Sequence, residues 1–245
     1  MTAFYFFKFP KCLRFTLALL PLCVAAQINE GLGTWNSVNA RLDWNKRWNV
    51  SAEAQLRSLL FYQNFHYYEL KGGVGYRFSG QASAFLGAGT YQTYGEGGDF
   101  ATPKINSEFR IWPQFSLGNA LGRAKLEHRY RLENRFALQG FLLRFRYRFQ
   151  VTLPLNRREI RPGTLCLVAW NEIFLGSRAP HFQRNRFFAG LFYEFTPRYA
   201  MQCGWINQFD YSVEDEIGRN FLQVSLLFSF KRKQTSFRSV PTSEE

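Results

Sequence analysis

Residues 142–151, LLRFRYRFQV, carry Arg144, Arg146 and Arg148 at every second position, with Phe145, Tyr147 and Phe149 between them. Side chains alternate between the two faces of a strand, so this segment is a ribbon with one basic and one aromatic side; a helical stripe does not have that period. Runs with the same period recur near 33–45, 48–62, 67–79, 82–95, 104–117, 121–135, 139–153, 163–176, 185–196, 199–211 and 219–231. No stretch of similar length keeps a 3.6-residue apolar period. The runs amount to about 60% strand, too much for an ordinary mixed domain and what a closed barrel requires.

The two faces differ in chemistry. Near the chain end, Leu222, Val224, Leu226, Phe228 and Phe230 oppose Gln223, Ser225 and Ser229. In 187–195, Phe187, Ala189, Leu191, Tyr193 and Phe195 oppose Phe188, Gly190, Phe192 and Glu194. About ten residues of such alternation suffice for a tilted strand to cross a bilayer. Two soluble sheets with faces this long and aromatic would leave wide apolar patches in water. The pattern therefore predicts an all-β fold, a single antiparallel transmembrane β-barrel whose polar faces look into a lumen. Bacterial barrels have even strand counts, so eleven visible runs predict about twelve strands, the missing one within Gln27–Gly33, with ten as the alternative. Tight links at NKR (45–47), SGQ (79–81), LGNALG (117–122) and FTPR (195–198) alternate with the longer YQNFH, GEGGDFATPK, ENRFALQ, LGSRAPHFQR and FDYSVEDEIGR, the arrangement of short turns on one side and long loops on the other. The basic link LNRREIRPG (155–163) breaks that order. Trp35, Trp44, Trp48, Tyr67, Tyr68, Tyr91, Tyr94, Tyr199, Trp205 and Tyr211, near the run ends, are the expected interfacial girdles.

The same parity predicts the lumen-lining charges. The bases are Arg41, Arg57, Lys71, Arg77, Arg110, Lys125, Arg129, Arg131, Arg144, Arg146, Arg148 and Arg186, and the acids Asp43, Glu53, Glu69, Glu108, Glu127, Glu133, Glu172 and Glu194. Twelve against eight leaves the interior at +4, within a chain of 245 residues whose net charge is +13 and whose aromatic content is 18%. Lys8, Lys11 and Arg14 precede an apolar run, 15–26, that ends with Val24 and Ala26 at the small-residue positions of a signal-peptidase site. The expected organisation is a signal peptide over 1–26, a barrel over 27–231 and a disordered periplasmic tail over 232–245, with export to the outer membrane of a Gram-negative cell. No later segment is long and apolar enough for a membrane-spanning helix. Cys166 and Cys203 then remain, on strands separated by the run at 185–196 and with opposite parity, so both are expected as free thiols.

The segments KLEHRYRLENRF (125–136), FLLRFRYRFQVTLPL (141–155), AWNEIFL (169–175) and FQRNRFFAGLFYEFTP (182–197), with the closing strand, resemble an uncharacterised bacterial outer-membrane family, domain-of-unknown-function family 2490. The similarity spans roughly 34–230. It implies an outer-membrane barrel and no activity.

Three functional readings remain open. Inward charges on adjoining runs, Glu127, Glu133, Arg129, Arg144 and Arg148, predict an ion-paired network that largely fills the lumen; the first alternative is a narrow anion-preferring pore. The second is an outer-membrane lipid-modifying enzyme, for which His128, on the apolar side between Leu126 and Tyr130, is the candidate; only His66, His128 and His181 exist, no GxSxG elbow appears, and no catalytic residue is assigned. Basic strands with interleaved aromatics also suit single-stranded nucleic acid, but the export signal opposes that. Gly72, Gly73 and Gly75 lack the strand-loop-helix setting of a phosphate loop and are expected to relieve crowding. SVEDE (212–216), with Asp210, offers carboxylates to a divalent cation and reads more simply as a solvated loop. No cofactor or metal is expected. The expected partners are outer-membrane lipid and lipopolysaccharide, with the barrel-assembly machinery during biogenesis.

Overall fold

The computed structural model describes residues 31–97, 99–211 and 216–231. Eleven strands run in chain order: β1 (Gly33–Asp43), β2 (Trp48–Leu60), β3 (Gln63–Arg77), β4 (Ala82–Tyr94), β5 (Lys104–Leu121), β6 (Ala124–Ala137), β7 (Gly140–Pro154), β8 (Thr164–Gly176), β9 (Phe182–Thr196), β10 (Tyr199–Tyr211) and β11 (Glu216–Lys231). Each pairs antiparallel with the next, and β1 closes the barrel against β11. That last pairing is parallel, from Gly33↔Phe221 to Asp43↔Lys231. An odd number of up-and-down strands leaves the first and last running the same way, so closure must be parallel. The expected twelve strands are therefore corrected to eleven among the described residues: β1 and β11 are already paired along the whole of β1, so no further strand fits between them. The expected signal peptide, residues 27–30, most of SVEDE and the tail 232–245 lie outside the described residues.

The registers fix the faces. Odd residues of β1–β4, β6 and β11 and even residues of β5 and β7–β10 point inward. The outer face exposes Val38, Val50, Leu70, Val74, Leu86, Phe109, Phe115, Leu132, Phe145, Leu167, Leu191 and Phe230, an apolar belt around the barrel. Near one end, here the lower, edge-to-face and tilted contacts link Trp48, Tyr76, Phe78 and Phe115, and edge-to-face, stacked and tilted ones link Tyr193, Phe195, Tyr199 and Phe228. Near the upper end Tyr68, Tyr94 and Phe100 cluster, as do Phe109, Phe136 and Phe141. Trp35, Tyr67 and Tyr91, expected in these girdles, point inward instead, because each shares its face with a lumen arginine or glutamate on the neighbouring strand.

Part of the interior is apolar. Trp35, Cys166, Val168, Trp170, Phe188, Ile206 and Phe221 form one buried cluster on the β8–β11 and β1 wall, and Ile160 of the basic link folds against it. The aromatic ring of Phe188 lies flat because β9 and β10 meet through two glycines: a Cβ on Gly204 would stand 2.5 Å from the Ala189 carbonyl and 2.7 Å from the Phe188 ring. Gly73 plays the same part for Phe85, where a Cβ would come within 2.6 Å of the ring. Both thiols are free, Cys166 buried inside and Cys203 on the opposite face two strands away.

The expected alternation of short and long links is not found. The lower links are 44–47, 78–81, 122–123, 155–163 and 197–198, and the upper ones 61–62, 95–103, 138–139, 177–181 and 212–215. YQNFH and ENRFALQ are mostly absorbed into paired strands, since antiparallel hydrogen bonding continues past the end of the apolar alternation until a turn residue stops it. Replacing Gly204 by Val should lower the free energy of urea unfolding, followed by tryptophan fluorescence, by about 1–3 kcal/mol, the cost of overpacking a filled interior.

Candidate functional site

The interior is organised by arginines on β6 and β7 that face one another directly. Arg129 is paired with Arg148 and Arg131 with Arg146. Like charges directly opposite repel. Two carboxylates separate them: Glu133, the next inward position along β6, and Glu172 of β8, directly opposite Arg148. Glu133, with no exposed surface, accepts from Arg144 Nε and Nη2 at 2.9 and 2.6 Å and from Arg146 Nη1 at 2.5 Å. The guanidinium groups of Arg131 and Arg110 stand 3.6 and 3.9 Å from it. Glu172 accepts from Arg146 Nε and Nη2 at 3.2 and 2.8 Å and from Arg129 Nη2 at 2.6 Å. Glu108 continues the chain, accepting from Arg110 Nε at 2.6 Å and from Arg135 Nε and Nη2 at 2.9 and 2.5 Å. Six arginines thus share three buried glutamates.

The flat faces of these guanidinium groups are covered by rings. Arg57 lies 3.4 Å from the centre of the Trp35 ring and 4.1 Å from that of Tyr67. Arg110 lies over Tyr91 at 3.7 Å, Arg131 over Trp112 at 4.9 Å, and Arg146 and Arg186 over Phe174 at 4.4 and 4.7 Å. A planar guanidinium can take carboxylates at its edge while its face stacks on a π-system, an arrangement unavailable to lysine's ammonium. This is why the interior is rich in arginine.

The remaining predicted lumen residues take these places. Lys71 Nζ bridges Glu69 at 2.5 Å and Glu53 at 2.8 Å, with Arg57 3.7 Å from Glu69. Arg148 meets the half-exposed Glu127 at 3.5 Å. Arg41 and Asp43 pair at 3.0 Å at the lower rim, and Arg77, also at that rim, donates to the Lys46 carbonyl. Lys125 and Glu194 are on the inner face near the lower end, away from the Glu133 cluster. The cross-strand network expected of Glu127, Glu133, Arg129, Arg144 and Arg148 is present: Glu127 meets Arg148, Glu133 meets Arg144, and Arg129 reaches across β7 to Glu172 on β8.

Four inward charges escaped the sequence reading: Arg135, Arg184, Asp210 and Arg219. Arg184 pairs with Asp210, Arg135 with Glu108, and Arg219 with Glu96 at 2.7 Å. They sit at the upper ends of strands, in stretches read as links. The runs 121–135, 199–211 and 219–231 already contain Arg135, Asp210 and Arg219, so keeping parity to the end of each run would have found three of them, and starting 185–196 one residue earlier the fourth; adding the four to the predicted set gives fifteen bases and nine acids, +6. Asp210 also accepts from Gln208 Nε2 at 2.6 Å, so its carboxylate is occupied by neighbours on the inner wall.

Two large cavities lie in the lumen among the described residues. The upper, about 640 Å³, is walled by Arg57, Glu69, Arg110, Glu172, Arg184 and Arg186 among others; the lower, about 430 Å³, by Arg41, Arg77, Gln114 and Ser116. They share Glu53, Lys71, Arg129, Arg131 and Arg148 as a common wall. On the outer face His128 Nδ1 is 2.8 Å from the Tyr147 hydroxyl, and its ring packs on Phe149.

This closed, arginine-lined barrel coincides with a family match. The model described as protein of unknown function (DUF2490) matches residues 32–217. The chain belongs to this family. No curated protein and no solved structure matches it. The match begins one residue before β1 and ends two residues into β11, so it covers the first ten strands.

Removing the anionic centre of the network should be costly. Glu133→Gln leaves Arg144 without a carboxylate and Arg146 with Glu172 alone, and is expected to destabilise the protein by about 3–5 kcal/mol, whereas Glu127→Gln, whose side chain is 42% exposed, should cost under about 1 kcal/mol. Denaturant unfolding of the two variants side by side measures the contrast.

Proposed function

We propose that this DUF2490 protein is a transmembrane β-barrel of a Gram-negative outer membrane, with a lumen largely filled by its Arg/Glu and aromatic network rather than open as an aqueous channel. The observation that carries the reading is the division of chemistry by face. The outside exposes large apolar side chains around the whole circumference, with aromatic clusters toward both ends, while the charges of the wall turn inward. A surface of that kind is stable against lipid and a liability in water. Strands of 11 to 18 residues exceed the ten or so needed to cross, so their ends project into the adjoining aqueous layers.

The export-signal pattern before residue 27 supports the same location. Eleven strands put the two ends of the barrel chain on opposite sides of the membrane. With the tail after β11 in the periplasm, the start of β1 and link 95–103 face outward. Lipid and lipopolysaccharide surround the belt, and the barrel-assembly machinery inserts it. The network supports a filled lumen because its carboxylates cross-brace β5, β6, β7 and β8 from within. We assign no catalytic role to His128, whose close polar neighbour is a tyrosine hydroxyl.

The full chain should fractionate with outer membranes, its mature form beginning at Gln27, and in planar bilayers should give no sustained ohmic conductance steps. Replacing Arg144, Arg146 and Arg148 together by Glu should lower the temperature at which the detergent-solubilised barrel unfolds, because Glu133 loses both of its hydrogen-bonded bases and Glu172 one of its two, and three further acids enter the lumen. Recovery in the cytosol would overturn the location. A steady anion-selective current that reverses preference in the triple variant would overturn the filled lumen in favour of a narrow anion path.

A further inference from the structure

The upper cavity has more positive charge around it than its carboxylates cancel. Twelve lysine and arginine side chains line it against six aspartates and glutamates. The deficit is concentrated in one corner, where β1, β2 and β9 supply Trp35, Gln55, Arg57 and Arg186. Arg186 is 7% exposed, donates from Nε to the neutral Gln208 Oε1 at 2.9 Å, and among the described residues has no carboxylate within 4 Å. Arg57 is 6% exposed, and Glu69, its nearest carboxylate at 3.7 Å, already accepts from Lys71 at 2.5 Å and from the Tyr67 hydroxyl. The two guanidinium groups approach the same ring, Trp35, at 3.4 and 4.8 Å.

Unused donors surround them. Arg57 Nε, Trp35 Nε1 and Gln55 Nε2 are buried with no hydrogen-bond partner, on residues that are all more than nine-tenths buried and all line the cavity. Water can satisfy an N–H group but does not cancel a charge. A guanidinium is matched by oxygen atoms carrying negative charge, which can take several N–H groups at once.

We propose that the Trp35–Gln55–Arg57–Arg186 corner of the upper cavity binds a small oxyanion of two negative charges, phosphate or a group of that shape and charge. Two guanidinium groups lacking a close carboxylate of their own set the charge. A dianion with several charged oxygens can answer both guanidinium groups at once, which a monovalent acetate or halide cannot. The cavity reaches His66, Glu96, Ile105 and Arg219 at the upper end, which is the route of entry. The site goes beyond the proposed function and does not depend on it, since a filled lumen and a narrow path can each hold a bound anion.

The test uses the purified full chain in neutral detergent at fixed pH and ionic strength, titrated with inorganic phosphate, sulfate, acetate or chloride. Calorimetric titration and the unfolding temperature are both read. Phosphate should bind saturably and raise the unfolding temperature, sulfate should compete with it, and acetate and chloride should do neither in the same concentration range. Trp35→Phe keeps a ring beneath Arg57 and removes one N–H; Gln55→Leu keeps the volume and removes another. Each should weaken phosphate binding by about tenfold, the loss expected for one hydrogen bond to a charged group. Arg186→Gln should abolish saturation; should that variant fail to fold, the two milder ones decide. Equal effects of all four anions would reduce the interaction to ionic screening and overturn the proposal, as would Trp35→Phe and Gln55→Leu proteins that bind phosphate like the original. Bilayer current is not read, so failure here leaves the lumen model standing, and failure of that model leaves this site standing.

Discussion

The structure depends on carboxylates that have been taken out of water and are held there by arginines. Glu133 has no exposed surface and Glu172 almost none, yet each sits between guanidinium groups at hydrogen-bond distance. A buried carboxylate without partners would cost several kcal/mol, and so would each arginine. Neither kind of residue could occupy this lumen alone. Because the partners lie on different strands, every one of these pairs is also a constraint on register: Arg144 meets Glu133 only if β6 and β7 pair as they do, and Arg146 meets Glu172 only if β7 and β8 do. A slip by one residue would turn the whole inner row to the outside.

Aromatic residues serve both surfaces of the wall, in different ways. Outside, Trp48, Tyr76, Phe78 and Phe115 contact one another edge-on and in tilted pairs and form part of a belt. Inside, Trp35, Tyr67, Tyr91, Trp112 and Phe174 cover guanidinium faces that would otherwise be neither hydrated nor paired. The interior is consequently asymmetric. On β8–β11 and β1 a small apolar core rests on the glycine pair of β9 and β10, and beside it a polar network with cavities runs from β2 through β7 to Glu172 of β8, Arg184 and Arg186 of β9 and Asp210 of β10. A wall of ordinary barrel strands thus encloses two solvents of its own making.

Much of this was legible before any coordinates. Strict alternation from residue 33 to 231 determined strands, their faces and the inward direction of the arginines, because the two-residue period of a strand is a property of the backbone and does not depend on what surrounds it. Alternation also separated Cys166 from Cys203. What it did not determine was anything that needs two strands to be compared. Trp35, Tyr67 and Tyr91 look like girdle residues by position and composition, and only their cross-strand neighbours turn them into ring covers for arginine. Arg135, Arg184, Asp210 and Arg219 lie where the apolar half of the pattern has faded but backbone pairing continues, so composition marked them as loop while hydrogen bonding kept them in the wall. The parallel closure of β1 on β11 was hidden for the same reason. A chain fixes how each strand divides its own side chains, but which strand lies beside which, and therefore which carboxylate answers which arginine, is decided only when the sheet closes.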